Sequence, residues 1–207
     1  MSLCLAGVAG WVDAVGLLRT GDLFVSFASG DTTHLAAGLS GVVSNPARPA
    51  AVVAAFLGGV VAGELIAGPA EKPRRALVLA CEAVLLGAAW ACSRLGSPGL
   101  ATAAILAFAM GTQNASVHAV GGVSIALTYV TGAYVNVGRG IANALAGRAS
   151  LFKAAPYAGL ILALAAGAWG AAALIGRLGD QAIAVASGAC LLIATWRWLT
   201  PAKSSAG

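Results

Sequence analysis

Eight apolar stretches, each long enough to cross or enter a lipid bilayer, divide almost the whole chain and limit what it can fold into. They run approximately from Leu3 to Leu18, Leu23 to Val43, Pro49 to Gly68, Ala76 to Cys92, Leu100 to Val117, Ser124 to Leu145, Tyr157 to Ile175 and Ala182 to Leu199. Turn and charge signals separate them, among them Arg19 to Asp22, Asn45-Pro46, Glu71 to Arg75, Gly96 to Gly99 and Arg148 to Lys153. At about 20 residues per helical span, the chain holds roughly six to eight membrane elements and no soluble catalytic domain. Only 9% of its 207 residues are charged, against about 25% in a soluble domain. A water-facing surface cannot be made from so few charges, so the chain reads as a single membrane domain over residues 1–207.

Other function classes fall away on residue pattern. The net charge is +5, but the basic residues are scattered over loop positions and form no patch. They read as the loop bias that orients a membrane protein rather than as a nucleic-acid footprint. Cys4, Cys81, Cys92 and Cys190 lie inside apolar stretches with no CxxC pairing or histidine at ligand spacing, which marks them as reduced packing residues and implies neither metal nor cofactor. No HExxH, Walker loop or nucleophile triad order is present, so an enzyme is not expected. The first stretch lacks the basic segment and cleavage site of a signal peptide and is expected to remain as a span. Trp196-Arg197-Trp198 has the character of an interfacial anchor.

The chain also repeats itself. Gly10-Trp11-Val12-Asp13 matches Gly111-Thr112-Gln113-Asn114 at an offset of 101, and Ser29-Gly30 and Gly38 match Thr131-Gly132 and Gly140 at 102. Each half reads as a helix with a deep polar residue, an irregular element and two plain helices, which predicts a tandem duplication of residues 1–94 and 96–200. The irregular elements begin with Leu23 to Ala28 and Ser124 to Val130, rich in residues suited to extended structure, and each leads into a helix-start signal. Such an element either re-enters the membrane or crosses it once. If all eight elements cross, the basic loop residues divide evenly. If the irregular pair re-enters, Lys72, Arg74, Arg75, Arg148, Lys153 and Lys203 gather on one side against Arg19, Arg48, Arg94 and Arg177. The second division favours six spans with both termini cytoplasmic, and three crossings per half invert one half relative to the other. The expected fold is therefore an all-α integral membrane protein of about six transmembrane helices plus two broken or re-entrant elements, built as an inverted internal repeat.

Polar residues at membrane depth nominate a site. Irregular backbone is tolerated there only under cover of protein or a water-filled cavity, so the Ser29-Gly30 and Thr131-Gly132 breaks are expected to face one another. Their half-helices would point unpaired N–H groups and positive dipole ends into one pocket. Asp13 lies roughly 15 Å into its span at 1.5 Å per residue. It is read either as a functional carboxylate or as a partner for freed backbone, and Asn114 is its neutral counterpart. Asp31 can cap its half-helix or favour a proton or cation at the first half-site; its counterpart Ala133 leaves the second open. His34, one turn on, can relay a proton or serve structure. Thr32, Asn136, Tyr134, His118 and Arg139 are further polar candidates, and Glu64 and Glu82 read as interfacial and as paired or coupling carboxylates respectively. Gly59-x-x-x-Gly63 and Ala163 to Ala173 permit close helix approach, within the chain or in a homodimer.

At these residues the chain resembles the YoaK family of small bacterial membrane proteins, a domain of unknown function. The likeness is carried by GWVDAVGLLRTGDLFVSFASGDTTHLAAGL at Gly10 to Leu39 and GTQNASVHAVGGVSIALTYVTGAYVNVGRGI at Gly111 to Ile141. It implies roles for Gly10, Asp13, Ala14, Phe24 and Gly30, and for Gly111, Gln113, Asn114, Ala115, Thr131 and Gly132. The sequence departs from the family pattern at Ser29, Asp31 and His118. It also implies a multi-pass protein of the bacterial plasma (inner) membrane. Together these readings lead to the expectation of a secondary transporter or permease for a small polar or anionic solute, coupled to protons through Asp13 and Asp31. Ser29, Gly30, Thr32, His34, Gln113, Asn114, Thr131, Gly132 and Asn136 would line the site. A substrate-binding membrane subunit of a multi-component transporter, a channel and a structural membrane protein are the alternatives.

Overall fold

The computed structural model describes residues 1–42, 44–68, 72–96, 99–115 and 130–200. Eight α-helices account for most of them: α1 (Ser2–Thr20), α2 (Ala28–Leu39), α3 (Ala47–Ala67), α4 (Lys72–Arg94), α5 (Gly99–Asn114), α6 (Val130–Leu145), α7 (Ala155–Leu178) and α8 (Gln181–Leu199), with a 3-10 turn, Leu151–Ala154, before α7. There is no strand among the described residues. The segment from Leu23 to Phe27, where extended structure was expected, is irregular backbone leading straight into α2. Of the matching segment in the second half, only Val130 lies within the described residues, and it opens α6. Helix ends follow ordinary chemistry. Gly21 takes a left-handed conformation (φ 82°) after α1 and donates to Leu17 O, and arginines sit in the last turns of α1, α4, α7 and α8, where the helix dipole favours a cation.

Five helical stretches are long and apolar enough to cross a membrane: Ser2–Thr20, Ala47–Ala67, Ala76–Arg94, Leu151–Leu178 and Gln181–Leu199. Their outward faces carry exposed Leu57, Val61, Leu65, Leu162, Trp169, Leu191 and Leu192, a surface that only hydrocarbon suits. The chain is a multi-pass α-helical membrane protein. The sixth expected span, α5, has 16 residues, or about 24 Å at 1.5 Å per residue. It is the innermost helix, packed on α3 and α4 with more than half its residues buried.

Side-chain contacts fix which helix ends share a side. Arg19 pairs with Asp180, and Ser93 Oγ donates to Asp180 at 2.5 Å, which brings together the ends of α1 and α4 and the start of α8. Arg48 pairs with Asp22 at 2.9 Å, tying the start of α3 to the same side. At the opposite side, Arg197 Nη1 lies 3.5 Å from Met1 Sδ, and Gln113 Nε2 donates to Leu5 O at 3.4 Å. α1 and α5 therefore run in opposite directions. The chain leaves α1, turns back to the level of Asp13 through Leu23–Phe27, and returns through α2 to the side it came from, where Gly38 packs on Pro46. The C-terminal ends of α1 and α2, on either side of the Leu23–Phe27 segment, therefore share one side of the bundle.

Two crossings bring backbone against backbone. A Cβ placed on Gly10 would lie 2.0 Å from Leu164 O, and one on Gly167 1.9 Å from Gly7 O, where α1 meets α7. Where α5 meets α3, a Cβ on Gly111 would lie 2.1 Å from Phe56 O and one on Gly59 2.0 Å from Phe108 O. Lipid gives no hydrophobic drive between helices, so close van der Waals contact of this kind has to supply it.

Gly59→Ala and Gly111→Ala should each destabilise the fold by about 1–3 kcal/mol or more, as overpacking does. Gly188→Ala, whose Cβ would meet nothing within 4 Å, should be neutral or slightly stabilising. Thermal melting of the three purified variants tests the contrast, and equal melting temperatures would count against backbone contact at the crossing.

Candidate functional site

The Leu23–Phe27 segment has no helix of its own to absorb its N–H groups, and at membrane depth there is little water to replace one. Four consecutive donors are met by side chains. Leu23 N donates to Thr20 Oγ1 at 3.1 Å, Phe24 N to Asp31 Oδ1 at 3.2 Å, and Val25 N and Ser26 N to Asp13 Oδ1 at 2.8 and 2.9 Å. Asp13 and Asp31 thus clasp the unwound segment from α1 on one flank and α2 on the other. Asp31 is fully buried, and its Oδ2 has no partner among the described residues. The Phe24 and Phe27 rings meet edge to face with centroids 5.7 Å apart. Gly30 lies beneath them, where a Cβ would come 2.8 Å from the Phe27 ring.

Beside this clasp is a cleft of about 270 Å³, lined by Asp13, Ser26 and Phe27 from the first half and by Val130, Thr131, Tyr134 and Leu164 from the second. The start of α6 therefore faces the turn that precedes α2, while Ser29 is exposed and Gly30 packs on the Phe27 ring. Its walls are mostly carbon, with Asp13, Ser26 and Thr131 as the polar points. The first turn of α6 contains no acidic residue, so its N–H groups have no carboxylate of their own helix beside them.

The other expected site residues are placed differently. Ser29, Thr32 and His34 are exposed on α2, and Thr32 Oγ1 donates to Ala28 O of its own helix at 2.7 Å. Gly132 is buried, and its carbonyl accepts from Asn136 Nδ2 at 2.9 Å. Asn114 Nδ2 donates to Met110 O at 2.9 Å. Gln113 points into a separate buried contact, donating to Glu82 Oε1 at 2.9 Å. Arg139 and Glu64 are exposed, and His118 falls outside the described residues. Among the described residues, no three His, Cys, Asp or Glu side chains come together as metal ligands would. Ser26, Phe27 and Leu164 line the cleft without a sequence signal strong enough to nominate them. Their only trace was a position beside a predicted break or, for Leu164, within a small-residue stretch.

A second, smaller cavity of about 180 Å³ opens at the Arg19 side, lined by Gly16, Arg19, Thr20, Ser93, Thr102 and Asp180 among others. The hydrogen bonds from Ser93 and then Arg19 hold the Asp180 carboxyl below its ordinary value of 3.8.

Comparison with known proteins places the chain. Residues 1–196 match the model of a family described as a protein of unknown function, DUF1275. The chain is 34% identical over 202 residues to the UPF0700 transmembrane protein RA0705 of Rhizobium meliloti strain 1021, covering 95% of this chain and 84% of that protein. No solved structure matches. The chain belongs to the DUF1275 family, in agreement with the YoaK-like signature in its sequence.

Asp13→Asn keeps an oxygen in place to accept from Val25 and Ser26, whereas Asp13→Ala leaves two buried N–H groups unpaired at about 1–3 kcal/mol each. Melting temperature should therefore fall well below wild type for the alanine variant and stay close to it for the asparagine one; the reverse order would refute the clasp. For Asp180 the folded value is depressed, so its stabilisation is present above 3.8 and is lost as pH falls through the folded value. The stability gap between wild type and Asp180→Asn should close on acidification, as read by melts across an acid pH series.

Proposed function

We propose that this DUF1275 member is a secondary transporter for a small polar solute, with its site in the cleft between the turn preceding α2 and the start of α6. The observation that carries the reading is the cleft itself, where a carboxylate, an unwound backbone segment and a helix beginning meet at membrane depth. Broken helices meeting at the midplane are how inverted-repeat transporters build their substrate and ion sites. The solute's donor groups would face Asp13 and Ser26, and its acceptor or anionic end would take N–H groups of the first turn of α6. Phe27, Tyr134 and Leu164 would pack on its carbon frame.

In this reading the two halves are inverted repeats. The paired glycines support it, since Gly10 and Gly111 occupy equivalent positions in α1 and α5, and each meets the backbone of a helix from the opposite half. The α1–α7 and α3–α5 pairs would then move as two rigid bodies about the cleft. Asp13 would couple that motion to protons. A proton on its carboxyl weakens the acceptor that holds Val25 and Ser26, loosens one wall of the cleft and leaves two N–H groups for the solute. The side shared by Met1 and Arg197 would be the cytoplasm of a bacterial cell, on the bias of Lys72, Arg74, Arg75, Arg148, Lys153 and Lys203.

The test is uptake of a pooled metabolite set by liposomes containing the purified chain alone. Wild type should accumulate at least one solute under an imposed proton gradient, and Asp13→Asn should lose that accumulation while still exchanging solute across the membrane. Equal accumulation by both proteins would remove the coupling role of Asp13. Absence of flux by the chain alone would replace autonomous transport with a subunit role.

A further inference from the structure

A second carboxylate lies in the bundle interior, on a different helix seam from the clasp. Glu82, from the middle of α4, has no exposed surface. Its Oε1 accepts from Gln113 Nε2 of α5 at 2.9 Å and from the Cys190 thiol of α8 at 3.1 Å. Gln113 continues the chain of contacts to Leu5 O of α1 at 3.4 Å. All three side chains are buried. Glu82 Oε2 is buried with no partner among the described residues, and Leu79 and Leu86, one turn away along α4, are themselves wholly buried. The group facing it that titrates is the Cys190 thiol; α5 presents an amide, α1 a backbone carbonyl, and α3 meets α4 through Ala67 and Val78. Neither salt bridge among the described residues involves Glu82.

We propose that Glu82 is a proton-binding site at the junction of α1, α4, α5 and α8, and that its proton load governs how tightly these helices close. The argument is a counterfactual about the side chain. A glutamine at this position would present the same oxygen to Gln113 and Cys190, so packing and hydrogen bonding alone do not require an acid. What the carboxyl adds is a proton that can leave. A lone carboxylate in an apolar interior is far costlier than the neutral acid unless a cation or several donors meet it, and here two donors converge on one oxygen while the other has none. With the proton on Oε2 the junction is neutral and dry. When the proton passes to a water molecule, giving a carboxylate and a hydronium ion, Oε2 needs donors that the closed junction lacks, and the α4–α8 seam must admit water to supply them. The proton thus favours the closed arrangement and its loss favours the open one. This site is independent of the transport reading: a protonated Glu82 is expected whether or not the cleft moves a solute.

The experiment is infrared difference spectroscopy of the full chain in liposomes, titrated from mildly acidic to alkaline pH. Wild type should show a protonated carboxylic-acid C=O band at neutral pH that disappears on alkalinisation, together with a shift of the Cys190 S–H band, which is assigned by its loss in Cys190→Ala. Glu82→Gln should lose the C=O component that disappears together with the S–H shift and keep an S–H band that pH does not move, whereas Asp13→Asn should leave that component and the S–H shift intact. Should Glu82→Gln fail to fold, glutamate carrying carbon-13 in its side-chain carboxyl, incorporated into the wild type, assigns the band, since only glutamate carboxyls then shift. No protonated band at neutral pH, survival of that component in Glu82→Gln or its indifference to the label, or an S–H band indifferent to pH in the wild type would each overturn the proposal. Loss of transport with all infrared signals intact would bear on the cleft and leave Glu82 untouched.

Discussion

Every backbone N–H inside a bilayer must find an acceptor in the protein, and the candidate site rests on how that demand is met between α1 and α2. Helices meet it automatically. Residues 23–26 do not, because they lie outside any helix at the depth of Asp13, and Thr20, Asp31 and Asp13 supply the missing acceptors in sequence order. A neutral carbonyl or amide oxygen could accept the same bonds. A carboxylate accepts them more strongly, and it places a titratable group against a segment with no internal hydrogen bonds to hold it in place. On the proposed reading, structural support and a proton-sensitive joint are the same contact viewed at two protonation states, so a capping role for Asp13 and a coupling role do not compete.

What keeps the joint from dissolving the fold is the stiffness around it. The α1–α7 and α3–α5 crossings are made at the level of the main chain, where there are no side-chain rotamers to relax. Asp13 sits one turn beyond Gly10, and Leu164, which lines the cleft, is also the residue whose carbonyl lies against Gly10. One wall of the cleft is thus anchored by a backbone-to-backbone contact while the other is the clasped segment. A cleft with one fixed and one adjustable wall can change its opening without repacking the bundle.

The sequence was most informative where residue chemistry and bilayer chemistry conflict. Asp13 and the Ser-Gly-Asp break stood out because an acid and a helix interruption have no default place in hydrocarbon, and they do lie together. The glycine pairs were legible as small-residue positions, but their partners were not, since Gly10 meets Leu164 across more than half the chain. Gln113 illustrates the opposite failure. The family resemblance implied a ligand role for it beside Asn114, yet helical geometry turns adjacent residues about 100° apart, so the pair cannot share a face, and Gln113 points to Glu82 instead. Thr32 follows the same logic relative to Asp31, whereas His34, one turn on, shares Asp31's side of the helix but lies outside its narrow buried stripe and is exposed. The cleft residues Phe27 and Leu164 were invisible because an aromatic or aliphatic side chain in a membrane segment carries no sign of what it lines.

The two segments whose sequences match agree at their glycines and differ in charge. Gly10 and Gly111 make equivalent backbone contacts, but Asp13 is answered by Asn114 and Asp31 by Ala133, and the buried Glu82 meets a thiol and an amide rather than another acid. Small residues at a crossing are demanded by geometry, which bears on both halves alike. Buried carboxylates are demanded by nothing in the geometry, since a neutral side chain could fill each place at a lower desolvation cost. The carboxylates at membrane depth, Asp13, Asp31 and Glu82, lie on α1, α2 and α4, and on the two proposals above these are the parts that would respond to a proton while the glycine crossings hold shape. On the same two proposals, proton sensitivity should act through the α1–α2 clasp and the α4–α8 seam, with the α3–α5 crossing as the frame against which both move.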